Sequence, residues 1–232
     1  LEQGRTFGLK GEMVDQLTTQ LDDVEEIGSL LKHHLDELIA LHRQGAFQEI
    51  IDRGIPLLER HPSDPKLINI LGVASSELKK YEEAISFYNR AIKLKPYYAE
   101  AYNNLGITQK EIGNLDGAIE SYKNALSINP DYAFSYNNIG NVYNEQKEFN
   151  KALNAYERAI SINPSFSEAI NNMASIYKSQ GQVKEAIKLY KKAISIDPSF
   201  VDPYDNIGVS YQVLGNMDKA KEYHKKALTI DP

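Results

Sequence analysis

Six prolines, Pro62, Pro96, Pro130, Pro164, Pro198 and Pro232, stand 34 residues apart along this chain. A strict period of that length makes each stretch one supersecondary unit that buries its apolar face against its neighbours, not a fragment of one large core. The unit is clearest at AEAYNNLGITQKEIGNLDGAIESYKNALSINPDY, residues 99–132. In its first half Tyr102, Leu105, Gly106, Gln109 and Ile112 recur at helical spacing, and in its second half Ala118, Ile119, Tyr122, Ala125 and Leu126 do the same. Gly113 between them suits the left-handed residue that closes a helix. Asn129-Pro130 ends the second segment, because proline lacks an amide hydrogen and restricts the residue before it. The unit therefore reads as a helix, a turn and an antiparallel helix.

Small residues keep the same register. Gly72, Gly106, Gly140, Ala174 and Gly208 form one column, Ala84, Ala118, Ala152, Ala186 and Ala220 a second, and Ala91, Ala125, Ala159, Ala193 and Ala227 a third. Small side chains at fixed places let paired helices approach, with large ones such as Leu71, Leu105, Ile139, Met173 and Ile207 interdigitating around them. The aromatic column is Tyr88, Tyr122, Tyr156 and Tyr190. This order of Leu-Gly, Ala, aromatic, Ala and Pro resembles the tetratricopeptide repeat family. The resemblance implies an all-α, right-handed superhelical solenoid with five regular repeats at 65–98, 99–132, 133–166, 167–200 and 201–232. Three departures stand out: Lys79 and Lys147 replace the turn glycine, Ala174 replaces the small-column glycine, and His224 replaces the tyrosine, with Tyr223 next to it expected to fill the space.

Ahead of these repeats, residues 31–64 read as a worn copy. Gly45, Phe47, Leu57, Leu58 and Pro62 keep register, but Glu37 stands where leucine is expected, and Ile50 and Gly54 replace the alanine and the tyrosine. Residues 1–12, with Gly4, Gly8 and Gly11, read as a flexible lead-in. From Val14 a heptad seam runs through Leu17, Leu21, Val24, Leu31, Leu35 and Leu38, broken by Gly28. The expectation is a capping helix over 13–30; the same seam also fits a dimerising helix, so a homo-oligomer through residues 14–38 stays open, as does assembly through the C-terminal end. The chain stops at Pro232 with no further helix after the last repeat, which reads as a piece cut from something longer or covered by another molecule.

Composition bears mainly on partners. Lys plus Arg number 26 against 32 Asp plus Glu, a net charge of -6, so the concentrated basic stripe that nucleic acid requires is not expected. No apolar run approaches a membrane span and no signal-peptide pattern opens the chain, so neither a membrane nor secretion is expected. The absence of cysteine suits a reducing compartment, and a cytoplasmic location is the expectation. No phosphate loop, nucleophile elbow or metal motif is readable, and the adjacent His33 and His34 point about a third of a turn apart, poorly for joint ligation. The chain is expected to be no enzyme and to need no cofactor and no metal.

The expected function lies on the first helix of each pair, which in the resembled family lines the concave side. There the sequence is monotonous: Asn103-Asn104, Asn137-Asn138, Asn171-Asn172 and Asp205-Asn206, with Asn141 and Asn144 following, one helical turn apart, in the central repeat. A side-chain amide both donates and accepts, so a ladder of them can pair with an extended peptide backbone whatever its sequence. The column Asn104, Asn138, Asn172 and Asn206 is similar to the asparagine ladder in the repeat arms of O-linked N-acetylglucosamine transferases, which holds the backbone of protein substrates. The alternative is a conformational role between helices. Lys110 and Lys178 are the nearest inward-facing bases, and the lysine positions of the clamp that grips acidic chaperone tails are occupied by asparagine, so that ligand is not expected. The expected partner is a protein or unstructured peptide. The repeats also resemble the leading arms of bacterial transferases, so a substrate-recruiting arm of a larger enzyme is the competing expectation, and a self-assembling module the third.

Overall fold

The computed structural model describes residues 29–231, which hold twelve helices and no strand. The expected lead-in at 1–12 and nearly all of the helix expected at 13–30 lie outside the described residues. The chain divides into two units, Leu1–Leu94 and Lys95–Pro232.

In the first unit, α1 (29–43), α2 (Phe47–Arg60), α3 (Pro65–Glu77) and α4 (Tyr81–Leu94) follow one another, with α2 packed on α3 and α3 on α4. The start of α3 is dictated locally: Pro65 occupies the first turn, where its missing N–H costs nothing, and the Asp64 carboxylate accepts the Leu67 N–H at 2.7 Å. Gly54, at the place of the repeat tyrosine in the worn copy, lets α3 come close; a β-carbon there would stand 2.7 Å from the Leu71 Cδ2.

In the second unit, α5 (Ala99–Glu111) pairs with α6 (Leu115–Ile128), α7 (Ala133–Glu145) with α8 (Phe149–Ile162), α9 (Ser167–Ser179) with α10 (Val183–Ile196), and α11 (Asp202–Val213) with α12 (Met217–Ile230). Each second helix also packs on the first helix of the next pair, and α5, α7, α9 and α11 touch in succession. The punctuation before each proline has a mechanism: the Asn129, Asn163 and Asp197 side chains accept the backbone N–H two residues on, at 3.2, 3.1 and 2.9 Å, closing a turn over the proline.

The core is built from the columns. Tyr88, Tyr122, Tyr156 and Tyr190 are at most 1% exposed. Three of these rings pack against the small column, so that a β-carbon at Gly72 or Gly106 would meet Tyr88 or Tyr122 at 2.7 or 2.6 Å, and one at Gly140 would collide with Tyr156. In the last repeat His224 itself fills the tyrosine's place, 2.6 Å from where a β-carbon of Gly208 would be. Tyr223, expected to fill it, instead packs beside Tyr211 with ring centroids 5.8 Å apart. A histidine can do this because its ring is flat like the phenol, and its nitrogens find Asp205 at 3.0 Å and Gln212 at 3.3 Å. Ile112, part of the expected apolar stripe of α5, is 48% exposed, because it is the residue at which that helix ends.

Candidate functional site

The two asparagine columns separate. A helix turns by about 100° per residue, so neighbours in the chain point in different directions. Asn103, Asn137 and Asn171 are 4, 1 and 5% exposed, while Asn104, Asn138, Asn172 and Asn206 are half-buried. The expectation that both columns line an open surface therefore fails for Asn103 and Asn137, whose amides lie in the joint between repeats, while Asn171, 5% exposed, still borders the groove described below. Asp205, at the same place in the last repeat, is exposed and accepts from His224.

The columns are bonded to each other on the diagonal. The Asn138 amide donates to the Asn103 Oδ1 at 3.1 Å, Asn172 to Asn137 at 3.2 Å, and Asn206 to Asn171 at 3.3 Å. Asn103 also accepts the Ser135 hydroxyl at 2.9 Å, and Asn137 donates to Glu168 at 3.2 Å. A buried amide left without such partners would cost about 1–3 kcal/mol, so the first column is held in place by the second. One branch reaches further: Asn172 donates to the Asn141 Oδ1 at 3.0 Å, which accepts the Tyr156 hydroxyl at 2.8 Å.

That branch forms the floor of a groove of about 690 Å³, lined from successive first helices by Lys110 of α5, Asn141, Asn144 and Glu145 of α7, Asn171, Asn172 and Ser175 of α9 and Asp202 of α11. Tyr156, Ser167, Glu168, Asp197 and Phe200 complete the wall. Of the residues expected at a binding surface, it gathers Asn141, Asn171, Asn172 and Lys110, while Asn103, Asn104, Asn137, Asn138, Asp205, Asn206 and Lys178 lie outside it. Lys178 is spent within the protein: its ammonium donates to the Asn206 Oδ1 at 2.8 Å and sits 5.8 Å from the Tyr190 ring centre, and burial lowers its pKa. Lys110 stands 3.6 Å from Glu111.

Beside Glu145, the carboxylates of Glu168, Asp197 and Asp202 complete an acidic wall that sequence reasoning missed. The signal was present in the 34-residue register, where Glu168 and Asp202 occupy one column, but a column says nothing of which way a loop aspartate such as Asp197 turns. The field of this wall is felt inside: burial raises the pKa of the Tyr156 phenol, and the charge on Glu168 raises it further. Among the described residues no group of His, Cys, Asp and Glu is placed to hold a metal, and no helix is long and apolar enough to cross a membrane.

Comparison with known proteins agrees with this architecture. Sequence profiles described as tetratricopeptide repeat match residues 133–166, 155–188 and 201–232, and one described as TPR repeat matches 76–113, 110–147 and 174–215. Comparison with curated proteins finds no match. Among solved structures, the crystal structure of MamA is 32% identical, with 69% of this chain and 94% of that one covered at a TM-score of 0.59. YrrB, described as a TPR protein with an unusual peptide-binding site, is 24% identical over 77% of this chain and 92% of its own, TM-score 0.55. The Pseudomonas aeruginosa pilF structure shares the fold at 17% identity, 87% and 92% coverage and a TM-score of 0.73. Repeat profiles running from residue 76 to the end, and a relative 32% identical along nearly its whole length, place the chain in the tetratricopeptide repeat family.

Proposed function

We propose that this chain binds an extended segment of a partner protein along the first helices of the unit Lys95–Pro232, and acts by recognition, not catalysis. The observation that carries this reading is the groove itself, whose polar lining comes from α5, α7, α9 and α11 in turn. A ligand that touched all of it would have to run across repeats, as an extended chain does. YrrB, which shares the fold, is described as having a peptide-binding site, in keeping with this use of it. The resemblance to the asparagine-lined transferase arms points the same way, in a reduced form. With Asn103 and Asn137 committed to the joints, Asn141, Asn144, Asn171 and Asn172 are the amides that line the groove.

The test is a binding screen of the whole chain against unstructured peptides, with Asn144→Ala and Asn172→Ala tested alongside. Asn144 is exposed and makes no inter-repeat bond in the ladder, so its loss should weaken binding about three- to tenfold, the worth of one net hydrogen bond, with the melting temperature unmoved. Asn172→Ala should weaken binding and also lower stability, since it severs two bonds between repeats. Peptides that bind both variants as well as the parent chain would remove the groove from consideration.

A further inference from the structure

We infer that the segment held in this groove carries a basic side chain, lysine or arginine, seated among Glu145, Glu168 and Asp202. The inference rests on the groove being the binding site and names the chemistry of its occupant.

The wall carries Glu145, Glu168, Asp197 and Asp202 against a single base, Lys110. Part of this charge has a structural explanation. Glu168 and Asp202 sit in the first turns of α9 and α11, where a carboxylate faces the positive end of the helix. Asp197 is bound to the Ser199 N–H and hydroxyl at 2.9 and 2.6 Å, which hold its pKa below the usual carboxylate range. Glu145 has no such explanation. It is the last residue of α7, at the negative end of the helix, where a carboxylate is unfavourable. The equivalent Glu111, one repeat earlier, lies beside Lys110 at 3.6 Å, but Glu145 enters no ion pair among the described residues, nor do Glu168 and Asp202.

Three carboxylates without a counter-ion on one polar groove form a potential that an incoming cation would relieve, and an acidic ligand would be repelled. The half-buried Phe200 at the rim supplies an apolar flank for the methylene stem of a long basic side chain. Lysine and arginine both fit this description; carboxylates from three helices, α7, α9 and α11, along one groove suit the several donors of either.

The experiment measures fluorescence anisotropy of the whole chain with three pools of labelled dodecapeptides, identical and neutral except for two central positions filled with Arg, Gln or Glu. The Arg pool should bind about tenfold tighter than the Gln pool, and the Glu pool weakest. The gap should shrink as salt rises from about 50 to about 300 mM. Glu145→Lys and the double variant Glu168→Gln/Asp202→Asn, the latter checked by circular dichroism, each remove two units of negative charge from the wall and should each erase most of the Arg advantage. Equal binding of all three pools, still weakened by Asn144→Ala, would overturn the basic occupant and leave peptide recognition standing. Absence of binding by every pool would overturn both. An Arg preference that Glu145→Lys and Glu168→Gln/Asp202→Asn leave unchanged would place the attraction elsewhere and overturn this site.

Discussion

The neighbouring repeats 133–166 and 167–200 are built to one plan yet place glycine at opposite points. The first has Gly140 under the ring of Tyr156 and a lysine, Lys147, in the turn at φ 61°. The second has Ala174 in the small column and Gly181 in the turn at φ 81°. Both tyrosines are wholly buried, and both hydroxyls bond to the same repeat position, Asn141 in one case and Ser175 at 3.0 Å in the other. The plan therefore tolerates a methyl under the ring in one repeat and a left-handed lysine in the other. Ring contact and turn geometry are separate requirements, each satisfied locally.

The largest effect should come from conditions that act on both rings together. Burial raises the pKa of Tyr122, Tyr132, Tyr156 and Tyr190 in the folded chain above the ordinary value near 10. A group whose folded pKa is raised contributes stability that is complete below its unfolded pKa and lost above it, because only the unfolded chain then releases the proton. Thermal melts should hold steady up to about pH 10 and fall steeply beyond it. Tyr156→Phe should flatten that fall more than Tyr190→Phe, because the Glu168 charge adds to the shift at Tyr156 while the Ser175 hydrogen bond works against it at Tyr190. Equal flattening would mean that burial alone sets both.

Next in size is the ring contact. Gly140→Ala gains up to about 1 kcal/mol of helix propensity but forces a methyl into the buried Tyr156 ring, the tightest of these contacts, at an overpacking cost of about 2–3 kcal/mol, for a net loss of about 1–2 kcal/mol. The reverse change, Ala174→Gly, should lose about 1 kcal/mol from backbone freedom and the vacated methyl. Chemical denaturation would read both, and a neutral Gly140→Ala would break the comparison by revealing a ring free to move. Smallest are the turns. Lys147→Gly relieves a left-handed β-carbon and should stabilise by about 0.5–1 kcal/mol, while Gly181→Ala should lose about 1 kcal/mol on backbone grounds alone, since nothing lies within 4 Å of the added methyl.

The period, the helix pairs and the small and aromatic columns were legible because each is set within a single 34-residue unit. Lys79 and Lys147 could be read as turn residues from register alone, and both adopt positive φ. The asparagines were misread by half for a physical reason. Whether Asn137 faces a ligand or a joint depends on Asn172, 35 residues away, supplying its hydrogen bond, and an adjacent pair of identical residues hides a rotation that places one inside and one at the surface. The acidic wall was harder still: Glu145, Glu168 and Asp202 come from three helices and converge only once the pairs are stacked. His224 was misjudged because its neighbour Tyr223 matched the missing residue in kind, though not in direction.

The diagonal bonds of the asparagine columns join partners 35 residues apart, from Asn103 to Asn138, Asn137 to Asn172 and Asn171 to Asn206. Every joint in this series thus uses the same donor from the later copy and the same acceptor from the earlier one. Copying one of the blocks 99–132, 133–166 or 167–200 beside itself would present the new boundary with a matching donor and acceptor, which the block 65–98, with Ile70 at the donor position, would not. An insertion one residue longer or shorter would leave a buried amide facing the wrong side chain. Along these three joints the ladder acts as a reading-frame check at the level of the fold, favouring changes of length by whole repeats.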